Sequence, residues 1–552
     1  MKSTLTEATN LLVFRDTHEK VDTALLVRRL EQAIVDSNRF SLLDALITAG
    51  QFECALADYE GLDLHKAAHI TDQLAHACVN STPLDTSDVL RCLHQADSSL
   101  QQTVQVSDPE GFSYYALHPL DFKDVFRQFE HPVHAAVIGI RSIGTSLSAV
   151  ASATLLQEST AVERITVRPA GHPYARETHF TSEQKRWIER HKRLRATFFV
   201  VDEGPGLSGS SFLSVAEALV DVGVPAASIR LIGTHQIDPA QLCATGAAER
   251  WSHFSFHCVS SRISTKFSDL MFLSQGHWRS IFLDPQTEWP ASWTAMETTK
   301  YLSETRASIF KFDGFGHFGE CVRARDQLLY DGGFTPHHTN VGEGTSKHHF
   351  LEGAPLRRAD LSKDILDRIA EYCSFRANTF QTNGMDSTQL KQMAEFNFSQ
   401  ETGQSLDCSV LDLETDVPVI TDNRMHPHEW IRSRSGRIFK VDASQHGDDH
   451  FFPGPTDITW DLAGAIVEWD MDRASAAYLI DGFHRRSGCG VMPNLPSYLT
   501  AYSAFRMAYC KMACNSVTDV AEQRRLQTSY LYYRARMMSA TAETGRQPCK
   551  IV

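Results

Sequence analysis

The stretch Phe198–Ser211, FFVVDEGPGLSGSS, decides how the first half of this chain folds. Its four leading apolar residues predict a short strand that is buried on both faces, which is typical of a parallel sheet. Two acids, Asp202 and Glu203, end the strand, and a loop of glycines and serines leads into an apolar helix over 212–223. Backbone N–H groups at a helix N-terminus bind phosphate, and carboxylates accept hydrogen bonds from sugar hydroxyls. The stretch therefore predicts a site for a phosphorylated sugar, with an ordinary strand–helix turn as the alternative.

The composition of the chain limits its size class and its partners. With 552 residues it is too long for one hydrophobic core, so several domains are expected. The net charge of −14 argues against a general affinity for nucleic acid or for anionic membranes. The 12 cysteines contain no C-x-x-C pair, which argues against a zinc ribbon. Because the sequence offers no membrane-spanning apolar stretch and no signal-peptide core, we expect a cytoplasmic protein that acts on small molecules.

Two patterns divide the chain along its length. Residues 1–105 carry apolar residues at three- and four-residue spacing, which predicts a helical accessory region. From 106 to 262, buried strands alternate with helices, as in a parallel α/β sheet. This alternation lapses over 263–290, where a linker or extension is expected. The sequence thus predicts an α/β and α+β multidomain protein whose second half begins near residue 291.

A second loop accompanies the opening motif. Gly139–Thr145, GIRSIGT, ends an apolar strand and forms a polar, glycine-containing turn before a helix. Ligands of open α/β sheets bind beyond the carboxyl ends of the strands, where both loops are expected. Together with VVDEGPGLSGSS, this loop resembles those of the type I phosphoribosyltransferases, and the resemblance covers 106–262. The motif departs from the family in having one residue more than usual between the acid pair and Ser208–Gly209.

The resemblance implies that this domain binds phosphoribosyl pyrophosphate (PRPP) with Mg²⁺, and that a homodimer is possible. Displacing pyrophosphate passes through a cationic, oxocarbenium-like transition state, as glycoside cleavage does. The segment 168–186 would be a mobile basic flap whose Arg168 or Arg176 adds positive charge when it closes. The resemblance assigns Asp202, Glu203, Arg141 and Arg168 to the reaction, and Ser142, Gly144, Thr145, Gly206, Ser208, Gly209, Ser210 and Ser211 to PRPP binding.

The second half of the chain carries a different set of motifs. Lys311 lies in an apolar strand that precedes a glycine turn and a helix, and FLEGAPL follows at 350–356. This order of strand lysine, helix and short hinge strand resembles the aminoglycoside-phosphotransferase-like kinases. The resemblance implies an N-lobe over 291–352, a C-lobe over 353–552, Mg²⁺ and ATP, and Lys311 and Glu320 as ATP-binding residues.

The segment 422–465 follows the order of the catalytic core in those kinases: H-P, a strand, a turn, an apolar strand ending in V-D, and W-D-L-A. The order implies Asp442 and Glu429 as metal ligands and Asp461 as a structural acid. Arg424 stands where the catalytic aspartate is expected, and Asp422 is a candidate to replace it. Phosphoryl transfer relies chiefly on metal and positioning, so a displaced base need not abolish activity. His446 and His450 flank a polar run that could bind a metal or a polar substrate, although an exposed polar loop is the commoner outcome for such a cluster.

These patterns together predict a bifunctional enzyme. The first half would transfer a phosphoribosyl group to an acceptor that no motif identifies, and the second half would phosphorylate a small metabolite with ATP. One alternative is the same phosphoribosyl chemistry in the cleavage direction. Another is a regulatory protein that senses PRPP or nucleotide through a degenerate kinase-like module.

Overall fold

The computed structural model shows a mixed α/β protein whose chain divides into two compact units. The first unit comprises Thr17–Asp269 and Gly314–Glu320, and the second comprises Met1–Asp16, Leu270–Asp313 and Cys321–Val552. Among the helices of the described residues, none is both long and apolar enough to cross a bilayer. The structure describes residues 11, 13, 19–35, 42–59, 64–97, 103–106, 108–129, 132–158, 160–206, 208–234, 236–283, 289–382, 387–406, 411–446, 454–488 and 494–544.

The described strands of the first unit form three sheets, the largest of which is a five-stranded parallel sheet. Its three central strands are apolar and buried, because helices and neighbouring strands cover them on both faces, whereas the two edge strands are partly exposed. The strands are β1 (Glu19–Asp22), β2 (Thr103–Val106), β3 (His134–Ile140), β4 (Ala161–Val167), β5 (Ala170–His172), β6 (Ala175–Glu177), β7 (Thr197–Val201), β8 (Ile229–Gly233) and β9 (Ser255–Cys258).

The order of the parallel sheet is β4-β3-β7-β8-β9, which confirms the parallel sheet predicted from the strand–helix alternation. The first strand of the sheet in the chain, β3, lies between β4 and β7, so the strand order reverses there. Such a switch point opens a crevice at the carboxyl ends of the two adjacent strands. The loops after β3 and β7 are those that the sequence singles out.

Residues 17–105 of the predicted helical region lie in the same compact unit as the parallel sheet. Two of its helices, α2 and α3 below, pack on α7, and the guanidinium of Arg164 on β4 pairs with both carboxylate oxygens of Glu53 at 2.8 Å. The helices of the first unit are α1 (Thr23–Val35), α2 (Leu42–Ala57), α3 (Leu64–Asn80), α4 (Thr86–Asp97), α5 (Glu110–Ser113), α6 (Asp121–Phe126), α7 (Gly144–Gln157), α8 (Ser182–Arg193), α9 (Ser210–Asp221), α10 (Ala247–Trp251) and α11 (Arg262–Lys266).

The described strands of the second unit form two antiparallel sheets. A five-stranded sheet has the order β10-β11-β12-β14-β13, and a three-stranded sheet has the order β15-β16-β17. The expected linker 263–290 contains the first of these strands, which pairs with β11. The strands are β10 (Met271–Phe272), β11 (Lys300–Leu302), β12 (Ser308–Phe312), β13 (His338–Asn340), β14 (Thr345–His349), β15 (Gly353–Pro355), β16 (Trp430–Ser433) and β17 (Ile438–Lys440).

The C-terminal part of the second unit is helical and has two apolar clusters. One surrounds Trp430 and Trp469, and the other surrounds Trp460 and Tyr502; all four side chains are buried. The helices are α12 (His277–Phe282), α13 (Gly316–Asp331), α14 (Lys363–Thr379), α15 (Ser387–Thr402), α16 (Thr459–Glu468), α17 (Arg473–Ser487), α18 (Leu495–Ser516) and α19 (Val520–Thr544). Residues 316–320 of α13 belong to the first unit and the rest of this helix to the second.

Candidate functional sites

The loop after β7 turns sharply before α9. Gly206 and Gly209 adopt left-handed conformations, with φ of +57° and +71°, and the Gly209 N–H donates to the Pro205 carbonyl at 2.8 Å. This turn accommodates the extra residue of the motif between the acid pair and Ser208. Gly209 is the N-cap of α9, so the first backbone N–H groups of this helix lie at the end of the loop, where such groups can bind a phosphate.

The serine hydroxyls of this loop contact the hairpin of β5 and β6. The hydroxyls of Ser208 and Ser210 donate to the Pro173 carbonyl at 2.8 and 2.6 Å. Pro173 lies in the turn of that hairpin, within the segment that the sequence interprets as a flap. Ser211 is half-buried in the first turn of α9. The hydroxyls of Ser208 and Ser210 are therefore both hydrogen-bonded to this hairpin.

The loop after β3 lies against the loop after β7. A Cβ at Gly144 would lie 2.8 Å from the Val201 carbonyl oxygen and 3.3 Å from Asp202 Oδ1, so glycine is required for this close approach. Thr145 is buried and its N–H donates to the Ser142 carbonyl at 3.3 Å. The structure thus brings together the two loops that the sequence proposes as one PRPP site.

The two arginines assigned to the reaction both pair with Asp58, which follows α2. Arg141 Nη1 lies 2.9 Å from Asp58 Oδ1, and Arg168 Nε donates to the same oxygen at 3.2 Å. Although burial raises the pKa of Asp58, hydrogen bonds from Arg168 and Arg141 bring it below its usual value. Arg176 instead donates to the Gly171 carbonyl at 2.7 Å. The sequence missed Asp58, because the helical region offers no motif that links it to the sheet.

Asp202 and Glu203 form an acidic group with Glu110, the first residue of α5. Burial raises the pKa of Asp202 to about 7, with a smaller contribution from the charge of Glu110. Burial, Glu110 and Asp202 raise the pKa of Glu203 well above its usual value. These carboxyl groups would ionise more readily beside a cation. Glu110 was not predicted, because it lies outside both loop motifs.

The second unit contains a cavity of about 280 Å³. Its lining includes residues of the five-stranded sheet and residues in or next to β16 and β17. The segment 350–356, which the sequence interprets as a hinge, contributes Phe350 and Leu351 before β15 and Gly353 and Pro355 within it. Further lining residues include Leu273, Trp278, Phe282, Trp293, Lys300, Ile309, Lys311, Asp326, His348, Arg424, His426, His428, Glu429, Ile431, Lys440, Asp442 and Arg506.

Lys311 and Asp442 face each other in this cavity. Lys311 on β12 is directly opposite Lys300 on β11, and both side chains pair with the carboxylate of Asp442, which follows β17 by two residues. The Lys311 Nζ lies 3.2 Å from Asp442 Oδ1, and the Lys300 ammonium contacts the other oxygen. Burial raises the pKa of Asp442, but the two lysines outweigh it and hold the pKa well below its usual range. The cavity therefore presents two ammonium groups and an ionised carboxylate.

The acid of α13 that lies in the cavity wall is Asp326. Burial raises its pKa to about 6, while the charge of Lys311 lowers it. Its Oδ2 is 3.5 Å from the Nδ1 atoms of both His338 and His348. Glu320, the residue predicted from the sequence, lies in the part of α13 that belongs to the first unit. Which acid of α13 faces the cavity depends on the rotation of the helix about its axis, and the sequence alone does not give that rotation.

The segment before β16 is held by Asp461. Its carboxylate accepts the backbone N–H groups of Asp422 and Asn423, at 2.8 and 3.0 Å. Asp422 itself is fully buried; the hydroxyl of Tyr372 donates to it, and the Lys440 Nζ lies 3.3 Å away. Arg424, by contrast, lines the cavity. A general base must reach its substrate, and Asp422 in this arrangement faces the core.

Magnesium ligands are implied at Asp442 and Glu429. Asp442 fits this role, because its carboxylate lines the cavity and is 25% exposed. Glu429 also lines the cavity, but its side chain is 11% exposed and its Oε2 lies 2.9 Å from the ammonium of the fully buried Lys440. His446, expected in an exposed loop, is buried with its Nδ1 3.6 Å from Asp422 Oδ1. His450 lies outside the described residues.

Comparisons with known proteins give structural neighbours alone, since no protein-family model and no curated protein matches the chain. The choline kinase of Streptococcus pneumoniae is 15% identical, covers 51% of this chain and 98% of its own, and has a TM-score of 0.35. A choline/ethanolamine kinase family protein from Mesorhizobium loti is 12% identical, with 48% and 93% coverage and a TM-score of 0.32. A putative aminoglycoside phosphotransferase from Ralstonia eutropha is 11% identical, with 48% and 96% coverage and a TM-score of 0.32. Each of these three structures aligns with about half of this chain.

Proposed function

We propose that the second unit binds ATP in the cavity of about 280 Å³ and transfers its terminal phosphoryl group to a small molecule. The convergence of Lys300 and Lys311 on Asp442 carries this proposal. Two ammonium groups suit the negative charge of a triphosphate, and an accessible carboxylate beside them suits the metal that accompanies it. Apolar lining residues, among them Leu273 and Ile309, offer a surface for a nucleobase.

Different residues of the cavity would have different roles in such a transfer. Lys311 and Lys300 would hold phosphate oxygens once the carboxylate of Asp442 engages Mg²⁺. When bound, this ion would neutralise negative charge on the phosphate oxygens. Arg424, at the position of the catalytic base, offers a planar guanidinium that suits phosphoryl oxygens. Because phosphoryl transfer depends mainly on positioning and charge, the site can act without a carboxylate base.

The test of this function combines binding with turnover. Calorimetry with ATP and Mg²⁺ should show binding to the full chain, and an Asp442→Asn variant should lose it. Slow ATP hydrolysis, accelerated by a metabolite extract and abolished in the same variant, would support phosphoryl transfer. Binding without turnover against any extract would favour a nucleotide sensor, and absence of binding would contradict the assignment of the cavity.

We further propose a phosphoribosyl site in the first unit. The observation that favours it is the approach of the loops after β3 and β7 at the switch point of the sheet, with Gly144 packed on Asp202. The N-terminus of α9 would bind the 5′-phosphate, and the acids would accept hydrogen bonds from the ribose hydroxyls. Arg141 and Arg168 would leave Asp58 and contact the leaving pyrophosphate instead.

This second function has its own experiment. Calorimetry should show Mg²⁺-dependent PRPP binding that an Asp202→Asn/Glu203→Gln double variant loses, whereas Asp238→Asn, in an exposed loop of the same unit, should leave it unchanged. Mass spectrometry of an extract incubated with PRPP would identify the acceptor. Release of PRPP from a nucleotide and pyrophosphate would instead show that the reaction runs in the cleavage direction. Unchanged binding in the double variant would contradict the proposed site.

A further inference from the structure

Lys440, the last residue of β17, has its charged group enclosed between two carboxylates. The side chains of Lys440 and Asp422 are both 0% exposed. The Lys440 Nζ lies 2.9 Å from Glu429 Oε2 and 3.3 Å from Asp422 Oδ2, and it donates to the Val441 carbonyl at 3.0 Å. An ammonium group has three protons, so each has an oxygen within reach. This lysine is therefore a fixed buried cation.

The same acids belong to a group of side chains that could hold a metal ion. Asp422, Glu429 and His446 each offer a ligand atom, and these atoms all lie within 4.8 Å of one another. Two carboxylates and an imidazole are a suitable donor set for a divalent ion such as Mn²⁺. The ammonium of Lys440 already lies beside both carboxylates, so it would repel a metal ion bound between them. Lysine and metal are thus alternatives at this position.

Asp442 differs from this cluster in its exposure. Its carboxylate and the Lys300 side chain are 25% and 24% exposed, whereas the Glu429 side chain is 11% exposed. The two lysines that pair with Asp442 lie on β11 and β12, in a different sheet. Lys440 lies on β17, two positions before Asp442 in the chain. An entering metal can therefore displace the partly exposed Lys300 side chain from Asp442. Lys311, whose side chain is 5% exposed, stays beside the other oxygen of Asp442, and the enclosed Lys440 is not displaced from Glu429.

We propose that Lys440 takes the place of a divalent cation between Asp422 and Glu429, so that, among the described residues of the second unit, a divalent ion binds at Asp442 and not in this cluster. This revises the sequence-based assignment of Glu429 as a metal ligand. The statement about Asp442 rests on the proposed nucleotide function. The exclusion of an ion from the cluster does not, because it follows from the buried ion pairs alone.

The test counts Mn²⁺ bound to the full chain by electron paramagnetic resonance, without nucleotide and with a non-hydrolysable ATP analogue. A Lys440→Ala variant should bind one more ion than the natural chain, and Mn²⁺ should raise its melting temperature by more. Lys391→Ala, which removes a more exposed lysine paired with Glu414, should show neither change. Absence of the additional ion in folded Lys440→Ala would overturn the proposal.

A second variant tests the proposal even where Lys440→Ala does not fold. Glu429→Gln should leave the number of bound Mn²⁺ ions unchanged, whereas loss of one ion would show that the natural cluster holds a metal and would overturn the proposal. If the ATP analogue does not bind while Lys440→Ala still gains an ion, the nucleotide function fails and the cation replacement stands.

Discussion

Asp461 accepts a hydrogen bond from the backbone N–H of Asp422 at 2.8 Å, across 39 positions of the chain. The second carboxylate oxygen accepts the N–H of Asn423, and the Arg376 Nε lies 3.7 Å from the first. Asn423 has a positive φ of 67°, so this backbone needs support. One buried carboxylate therefore fixes the segment that leads to Arg424 and the cavity.

We expect Asp461→Asn to destabilise the second unit by about 1–3 kcal/mol, because the amide replaces one acceptor with a donor that faces a backbone N–H. Asp461→Ala should cost about 3–5 kcal/mol, because it leaves Arg376 without this buried partner. Urea unfolding followed by tryptophan fluorescence measures both. Asp481→Asn, an exposed position on α17, should change the free energy of unfolding by less than about 0.5 kcal/mol. Equal effects at the two positions would contradict the role of Asp461.

Lys311→Met should weaken ATP binding by roughly ten- to a hundredfold, because a charge-assisted hydrogen bond to phosphate contributes about 1.5–3 kcal/mol. The matched control is Lys347→Met on the neighbouring strand β14, where the lysine is exposed and outside the cavity wall. Calorimetry with ATP and Mg²⁺ measures the affinities. A similar loss in both variants would indicate a general charge effect rather than a phosphate contact.

Local patterns predicted several of the elements around the candidate sites. The apolar strand before Asp202, the glycine turn before Ser210 and the apolar strand β17, which ends two residues before Asp442, are all encoded within a few residues. Strand alternation likewise predicted the parallel sheet, because its central strands β3, β7 and β8 are buried and its connections contain helices. These features depend on chain neighbours, which the sequence displays directly.

Contacts between distant segments were not predictable in the same way. Asp58 pairs with Arg141 across 83 positions, and the amphipathic pattern of α2 does not show which surface it covers. The burial of Lys440 was not predictable either, because a lysine in a short strand normally faces solvent. Its two acid partners, Asp422 and Glu429, lie in another segment of the chain. These ion pairs are visible only in the structure, because tertiary folding rather than local propensity brings the charged groups together.

PRPP binding to the first unit should strengthen as the pH rises through 7. Burial and the charge of Glu110 raise the pKa of Asp202 to about 7, and Glu203 is shifted in the same direction. Below that pH the carboxyl groups hold protons, and a neutral carboxyl group is a weaker partner for Mg²⁺ and sugar hydroxyls. Calorimetry at about pH 6 and pH 8 measures the effect, after correction for ionisation of the buffer. A flat profile, or one that Glu110→Gln leaves unaltered, would contradict the influence of this acidic group.

Gly209→Ala should destabilise the first unit and weaken PRPP binding together. Its φ of +71° is unfavourable for alanine, and a Cβ there would lie 2.8 Å from Leu242 Cδ1 and 3.3 Å from Trp251 Cζ3. We expect a cost of about 1–3 kcal/mol and a displaced N-terminus of α9. Gly206→Ala is the matched control, because its φ is +57° but nothing lies within 4 Å of the added Cβ. Thermal unfolding and PRPP calorimetry should show a smaller loss there, and equal losses at both glycines would mean that backbone strain, rather than packing on Leu242, sets the loop geometry.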